Sequence, residues 1–291
     1  MSQFIQLVLN GIAAGSIYAL MAMSLVIIYQ ASAVVNFAQG EMALLTAYLA
    51  FLLLEQGLTL PVAFGFSFLF SFFLGAGIEF GILRRAREST VISKMMITIG
   101  LEMVFIGLVS WKFGADPKTI DFPFSPYDSL MLGQDIFLSF LEAISILVAL
   151  VVVITLYLFF RFTPLGIAMK ASRQNERAAR LMGIRTKRIL MITWGISSLV
   201  GTIAASLLTP LTMHPYMMWN PLLKGFAAAV LGGMTSLPGA LIGGYMIGII
   251  ENLFGGYLSI EFKEVVAFAM ILLVLCLRPS GLFAHHYVKK V

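Results

Sequence analysis

The chain has 291 residues, of which 60% are hydrophobic and 11% charged, and its mean hydropathy is +0.96. Soluble domains carry about 45–50% apolar and about 25% charged residues, so a soluble globular class is excluded and a polytopic all-α membrane protein is expected. The net charge of +5 is explained by the placement of loops about a bilayer and is no argument for a nucleic-acid partner. The single cysteine, Cys276, excludes an intramolecular disulfide and any Cys-based metal spacing; lying in an apolar run, it is expected to be a buried structural thiol.

Windows of about 20 apolar residues, the length that carries a helix across a hydrocarbon core of about 30 Å, mark the spans. They fall near 5–29, 34–54, 60–83, 91–111, 138–160, 189–210, 222–236, 238–256 and 262–277. Backbone polar groups in lipid must be satisfied within their own segment, so each is expected to be helical. The opening run, "MSQFIQLVLNGIAAGSIYALMAMSLVIIY", lacks a basic n-region and a small-residue cleavage site and reads as a retained first span. Two segments are doubtful as crossings. The run 34–54 contains "NFAQGE", and 222–236 is short and ends in "GGMTSLPGA", so both are expected to be broken or re-entrant helices. The expectation is one transmembrane domain over 1–291, with about eight crossing helices besides the broken segments.

Lys and Arg in short loops stay on the cytoplasmic side. Arg84, Arg85, Arg87 and Lys94 cluster after the third segment, Arg161 to Arg188 supply eight more basic residues after the fifth, and Arg278, Lys289 and Lys290 follow the last. Between the first two clusters, 112–137 carries Asp116, Asp121, Asp128 and Asp135 against Lys112 and Lys118, as an external loop would. The N-terminus is therefore expected outside, and the loop 162–188 and the C-terminus inside. Trp111, Trp194 and Trp219 lie near span ends and read as an interfacial belt.

Polar groups within spans are costly in lipid and mark sites or interhelical bonds. Asn36, Gln39 and Glu41 lie together in "NFAQGEMA", where Gly40 permits an irregular backbone facing a zwitterionic solute; Thr46 and Tyr48 follow one to two turns on. The same side chains serve equally as hydrogen-bond glue between helices. Glu79 is placed to reach Arg84, and Glu102 has no partner that spacing identifies. The pairs Gly11/Gly15, Gly77/Gly81, Gly239/Gly243 and Gly244/Gly248 have the small-xxx-small spacing of close helix packing. His214 lies in an external turn and His285 and His286 in the tail, so no His-based metal or catalytic set is assembled in the spans.

In the stretch "PLGIAMKASRQNERAARLMGI" (164–184), residues 168–182 are expected to form one short helix after Pro164 and Gly166. Arg173, Arg177 and Arg180 would share one face, and Ala171, Ala178, Leu181 and Met182 another. Glu176 is spaced to pair with Arg180, and Gly183 suits the residue that ends such a helix. A basic amphipathic helix of this kind either lies on anionic headgroups or docks a soluble partner.

The wording of this segment, "PLGIAMKASRQNERAARLMGIRTKRI", resembles the cytoplasmic coupling loop of ATP-binding-cassette importer permeases. "VVNFAQGEMALLTAYLAF", "AAAVLGGMTSLPGALIGGYMIGIIE" and "KEVVAFAMILLVLCLRPSGLF" resemble the branched-chain amino acid permeases of that group, over essentially the whole chain. The resemblance implies ATPase coupling through Gly166, Ala171, Arg173, Asn175, Ala178, Ala179, Leu181 and Gly183. It also implies a heterodimer with a second homologous permease, two ATP-binding subunits on the cytoplasmic face, an external binding protein, and residence in a bacterial inner membrane. No "GxxxxGK[ST]" loop occurs in the chain, so ATP and Mg are expected on the partners, and this chain is expected to bind no cofactor and to be no enzyme. Leucine, isoleucine and valine are the expected cargo, with urea, short amides or other neutral amino acids as alternatives. An ion-coupled secondary transporter or channel is the competing class; it has no need of a docking loop.

Overall fold

The computed structural model describes residues 1–86, 90–123, 128–133, 136–278 and 281–283. Arg87, Asp135, His285, His286, Lys289, Lys290 and the Glu176 side chain, all named above, lie outside the described part. The first helix, α1 (Ser2–Ser32), is 31 residues without a proline, about 46 Å at 1.5 Å per residue. It closes at Ala33, whose left-handed backbone (φ 53°) turns its N–H onto the Tyr29 carbonyl. Residues 33–38 run without helix, and α2 (Gln39–Glu55) then starts inside the bundle.

Pro61 sits in the first turn of α3 (Leu60–Gly81), where its missing N–H costs nothing, and a 3-10 turn at Leu83–Arg85 follows. Thr90 caps α4 (Val91–Phe113) by accepting the Ser93 N–H at 3.2 Å. An antiparallel hairpin of β1 (Ser129–Gly133) and β2 (Ile136–Ser139) starts in the loop 112–137 and departs from an all-helical reading, as does an isolated β-bridge between Lys118 and Met213. The hairpin ends in a capping box, with the Ser139 N–H donating to Glu142 at 2.9 Å, which starts α5 (Phe140–Phe162) two residues later than hydropathy places it.

The basic stretch forms two helices rather than one, α6 (Pro164–Gln174) and α7 (Glu176–Leu181). Pro164 opens α6 instead of preceding it, because the Thr163 hydroxyl caps that end by accepting the Gly166 N–H at 3.0 Å. Asn175 breaks the run, since its carboxamide oxygen accepts the Ala178 N–H at 3.0 Å and recaps the chain. Arg173 therefore shares no continuous face with Arg177 and Arg180. The remaining helices are α8 (Thr186–Ser206), α9 (Trp219–Gly232), α10 (Leu237–Tyr257) and α11 (Lys263–Leu277).

Among the described residues, six helices are long and apolar enough to cross a membrane: α1, α3 with its 3-10 turn, α4, α5, α8 and α10. The other three apolar helices, α2, α9 and α11, have 17, 14 and 15 residues. Helix α1 is the axis of the bundle: 78% of its apolar window is buried, against 17% for α4 and α5 at the periphery. Its glycines allow this. A methyl on Gly11 would lie 2.6 Å from the Ile249 Cα of α10, and one on Gly244 would lie 2.5 Å from the Ala19 backbone. Gly239 and Gly243 meet α9 equally closely, while Gly77 and Gly81 face open space among the described residues.

Two single-residue expectations fail. Trp194 is no interfacial belt residue; it is 1% exposed between α8 and α3, where the Trp194 backbone crosses Gly75. Cys276 is exposed, because α11 buries only Val266, Ala267 and Val274. Trp111 and Trp219 do lie at the surface.

Candidate functional site

The break at 33–38 brings a row of polar side chains to the centre of the bundle, and α8 supplies their partners. Asn36 donates to Gln39 Oε1 at 3.0 Å, and Gln39 Nε2 donates to the Ser197 carbonyl at 3.0 Å. Ser197 Oγ donates to the Ser24 carbonyl of α1 at 2.6 Å, closing a three-helix junction. A turn further on, Thr46 Oγ1 lies 2.8 Å from Thr202 Oγ1, which lies 2.6 Å from Ser71 Oγ of α3; Ser71 also meets Ser198 at 2.8 Å. Gly201 makes room for Gln39, since a methyl there would lie 2.5 Å from Nε2. Asn36, Gln39 and Thr46 thus spend hydrogen-bonding capacity inside the chain.

Glu41 and Tyr48 differ. Both are buried, at 1% and 0% exposure, and Glu41 Oε2 and the Tyr48 hydroxyl have no hydrogen-bond partner among the described residues. Tyr48 packs its ring 4.7 Å from that of Phe113. Glu102 of α4 lies within electrostatic range of Glu41. Unused polar capacity at the bundle centre is costly unless another group or water completes it. Glu79 meets Arg84 at 2.6 Å, the pair that their spacing anticipates.

The residues to which the resemblance assigns ATPase coupling separate into inward and outward sets. Gly166 is buried against the end of α5, where a methyl would lie 2.6 Å from the Phe160 Cα. Ala179 is 4% exposed and faces into the loop, and Ala171 is half-buried. Arg173 donates to the Thr235 carbonyl at 2.7 Å, and Arg180 donates to Thr186 at 3.0 Å. Asn175 and Ala178 are exposed. Gly183 ends α7 in the left-handed region (φ 83°), with its own N–H on Arg180 and the Ile184 N–H on Ala179. That turn leaves Leu181 and Met182 89% and 82% exposed beside the exposed Arg177 and Arg185 regions of the loop.

Sequence reasoning missed one charged cluster. Lys224 Nζ of α9 lies 2.7 Å from Glu251 Oε1 of α10 and 3.3 Å from the Tyr18 hydroxyl of α1. Lys263 of α11 approaches the same carboxylate at 3.9 Å and donates to Asn252 at 3.2 Å. The signal was a lone Lys in "PLLKGFAAAVLGG" and a lone Glu in "MIGIIENLF", each in an otherwise uncharged run.

A bundle of membrane-length helices joined by glycine seams and buried hydrogen bonds defines a polytopic integral membrane protein. Residues 7–275 match the family described as the branched-chain amino acid transport system / permease component. The chain belongs to that family. It is 30% identical to the high-affinity branched-chain amino acid transport system permease protein LivH of Escherichia coli K12, over 99% of this chain and 98% of that protein. It is also 30% identical to the corresponding permease protein BraD of Pseudomonas aeruginosa, with the same coverage. The probable branched-chain amino acid transport permease protein LivH of Methanocaldococcus jannaschii is 28% identical over 90% of this chain and 87% of its own length.

The Lys224–Glu251 pair generates a direct prediction. Truncating either residue to Ala leaves the other buried charge without its 2.7 Å partner, with Lys263 at 3.9 Å from Glu251 the cation that remains, and about 3–5 kcal/mol of stability is lost. The unfolding midpoint of each single variant in detergent should therefore fall sharply, whereas the double change Lys224→Met with Glu251→Leu should recover most of it. Single variants with wild-type midpoints would show the pair to be dispensable.

Proposed function

We propose that the chain is the permease subunit of an ATP-binding-cassette importer for branched-chain amino acids, with ATP hydrolysed by two separate subunits. A second homologous permease, an external binding protein and a bacterial inner-membrane location complete the reading. The names and near full-length coverage of the relatives support the cargo. The orientation with the N-terminus outside rests on the basic loops, and the Arg84 bond to the Lys187 carbonyl supports it by joining two of those loops at one end of the bundle.

The observation that carries the coupling assignment is the apolar tip of α7. Leu181 and Met182 project from a loop of arginines with their side chains almost fully exposed. Large apolar groups beside cations at the end of a bundle fit a protein groove lined by apolar and acidic groups. The face offered to the ATPase consists of Asn175, Ala178, Leu181 and Met182. Gly166, Ala171, Arg173, Ala179 and Gly183 hold that face in shape. Along the pathway, Glu41 and Tyr48 retain capacity for a solute, while Asn36, Gln39 and Thr46 position them.

Two substitutions test these assignments in the assembled transporter. Leu181→Asp should leave insertion and the unfolding midpoint intact yet lower substrate-stimulated ATP hydrolysis about tenfold or more, the loss expected of a central interface residue. Unchanged hydrolysis would remove α7 from the interface. Glu41→Gln should cut uptake per folded complex without lowering the midpoint, whereas Asn36→Leu should lower the midpoint first. Wild-type uptake in Glu41→Gln would move the pathway elsewhere.

A further inference from the structure

After α4 the chain runs as a strap over the end of α2. Gly114 turns it out of the helix with a φ of 76°, which glycine adopts at little cost. Lys118 and Met213 then exchange two backbone hydrogen bonds at 2.9 and 2.7 Å, and the Ile120 N–H donates to the Thr209 carbonyl at 3.1 Å. These bonds tie the strap to the segment that follows α8. Ile120 is 3% exposed and shares an apolar cluster with Tyr48 and Met213. The rings of Tyr48, Phe51 and Phe113 form a triangle with centroids 4.7, 6.4 and 6.5 Å apart, and Lys118 Nζ lies 5.6 Å from the centre of the Phe51 ring. At the far end of the strap the Phe122 ring stands 5.9 Å from that of Phe64 on α3.

We propose that the strap 114–122 is a gate that closes the outer end of the pathway past Tyr48; the inference rests on the pathway reading above. Tyr48 carries it. Its hydroxyl has no hydrogen-bond partner among the described residues, yet the side chain is fully buried beneath the aromatic triangle and the strap. Spare hydrogen-bonding capacity serves a solute only in a state in which the group is uncovered. The strap is the element suited to uncover it. Its attachment to the segment after α8 is three backbone hydrogen bonds rather than a helix seam, and Ala115, Asp116, Pro117 and Thr119 are exposed, so water can replace those bonds. Opening requires no helix to unwind, because Gly114 at the end of α4 supplies the pivot, as a few loop or element-terminal residues do in other closing segments.

The test locks the strap in the assembled transporter with Lys118→Cys and Met213→Cys in a Cys276→Ser background. A pair that exchanges both backbone bonds of an antiparallel bridge holds its Cα atoms about 5.5 Å apart, within the ~4.4–6.8 Å that a disulfide spans. Oxidation should abolish uptake of labelled leucine into proteoliposomes, reductant should restore it, and each single-cysteine variant should transport under both conditions. A second measurement reads the cover without any transport. In the Cys276→Ser background, Tyr48→Cys should react slowly with an impermeant thiol reagent added outside, and adding Ile120→Asp, which sets a charge where the strap packs, should speed that reaction about tenfold or more. Undiminished uptake under the lock, with labelling unchanged by Ile120→Asp, overturns the gate and leaves the pathway reading standing. Undiminished uptake with faster labelling shows cargo passing elsewhere than Tyr48 and overturns both. Should the cysteine pair fail to assemble, the labelling comparison decides alone, and an unchanged rate in Ile120→Asp overturns the gate.

Discussion

The close approach of α1 and α10 is the constraint on which the rest of the structure depends. Lipid is as apolar as the helices themselves, so no hydrophobic force draws two spans together, and van der Waals contact must do it. Gly11, Gly15, Gly244 and Gly248 remove the side chains that would hold the backbones apart. With α10 seated on α1, the Glu251 carboxylate comes within 2.7 Å of Lys224 on α9, and Tyr18 of α1 completes the cluster. The short α9 is thereby anchored by charge as well as by the close fit of Ala228 and Gly243.

The opposite flank of α1 is held by hydrogen bonds instead. Ser197, Gln39 and Ser24 join α8, α2 and α1, and Thr46, Thr202, Ser71 and Ser198 carry the seam to α3. Each such bond in a membrane contributes on average about 0.6 kcal/mol, so the seam acts through its number and its register. It allows α2 to begin inside the bundle, because most of the irregular stretch, Val34 to Asn36 and Ala38, is buried within protein. Glu41 Oε2 and the Tyr48 hydroxyl, on α2, are among the buried polar atoms left without a partner among the described residues, and the proposed pathway runs past them.

Much of the architecture was legible because hydropathy over twenty residues is a direct readout of the bilayer. The nine apolar segments, the Glu79–Arg84 pair and three of four glycine pairs are where spacing places them, whereas the break expected in "NFAQGE" lies at 33–38 and leaves Gln39, Gly40 and Glu41 helical. What escaped depends on single side chains whose partners are distant in sequence. Asn175 splits a run that propensity would continue, since its side chain competes with the backbone for the Ala178 N–H. Trp194 near a predicted span end reads as interfacial until α3 covers it. Lys224 and Glu251 are separated by 27 residues and by a helix reversal, so neither pattern nor local spacing pairs them. Cys276 is exposed because α11 lies at the edge, a fact of packing order that composition does not carry.

The docking loop and the bundle meet at the α5–α6 corner, where Gly166 presses α6 against Phe160. Arg173, through its bond to the Thr235 carbonyl, joins the same corner to the start of α10. In the proposed transporter this arrangement links the face offered to the ATPase to the helix that packs on the central axis. The most direct measurement is labelled leucine uptake into proteoliposomes holding the assembled complex, with ATP inside or withheld, and with proton and sodium ionophores present. The account predicts uptake that requires ATP, survives the ionophores and stops with vanadate. Uptake by this chain alone, driven by an imposed ion gradient without ATP, would contradict it.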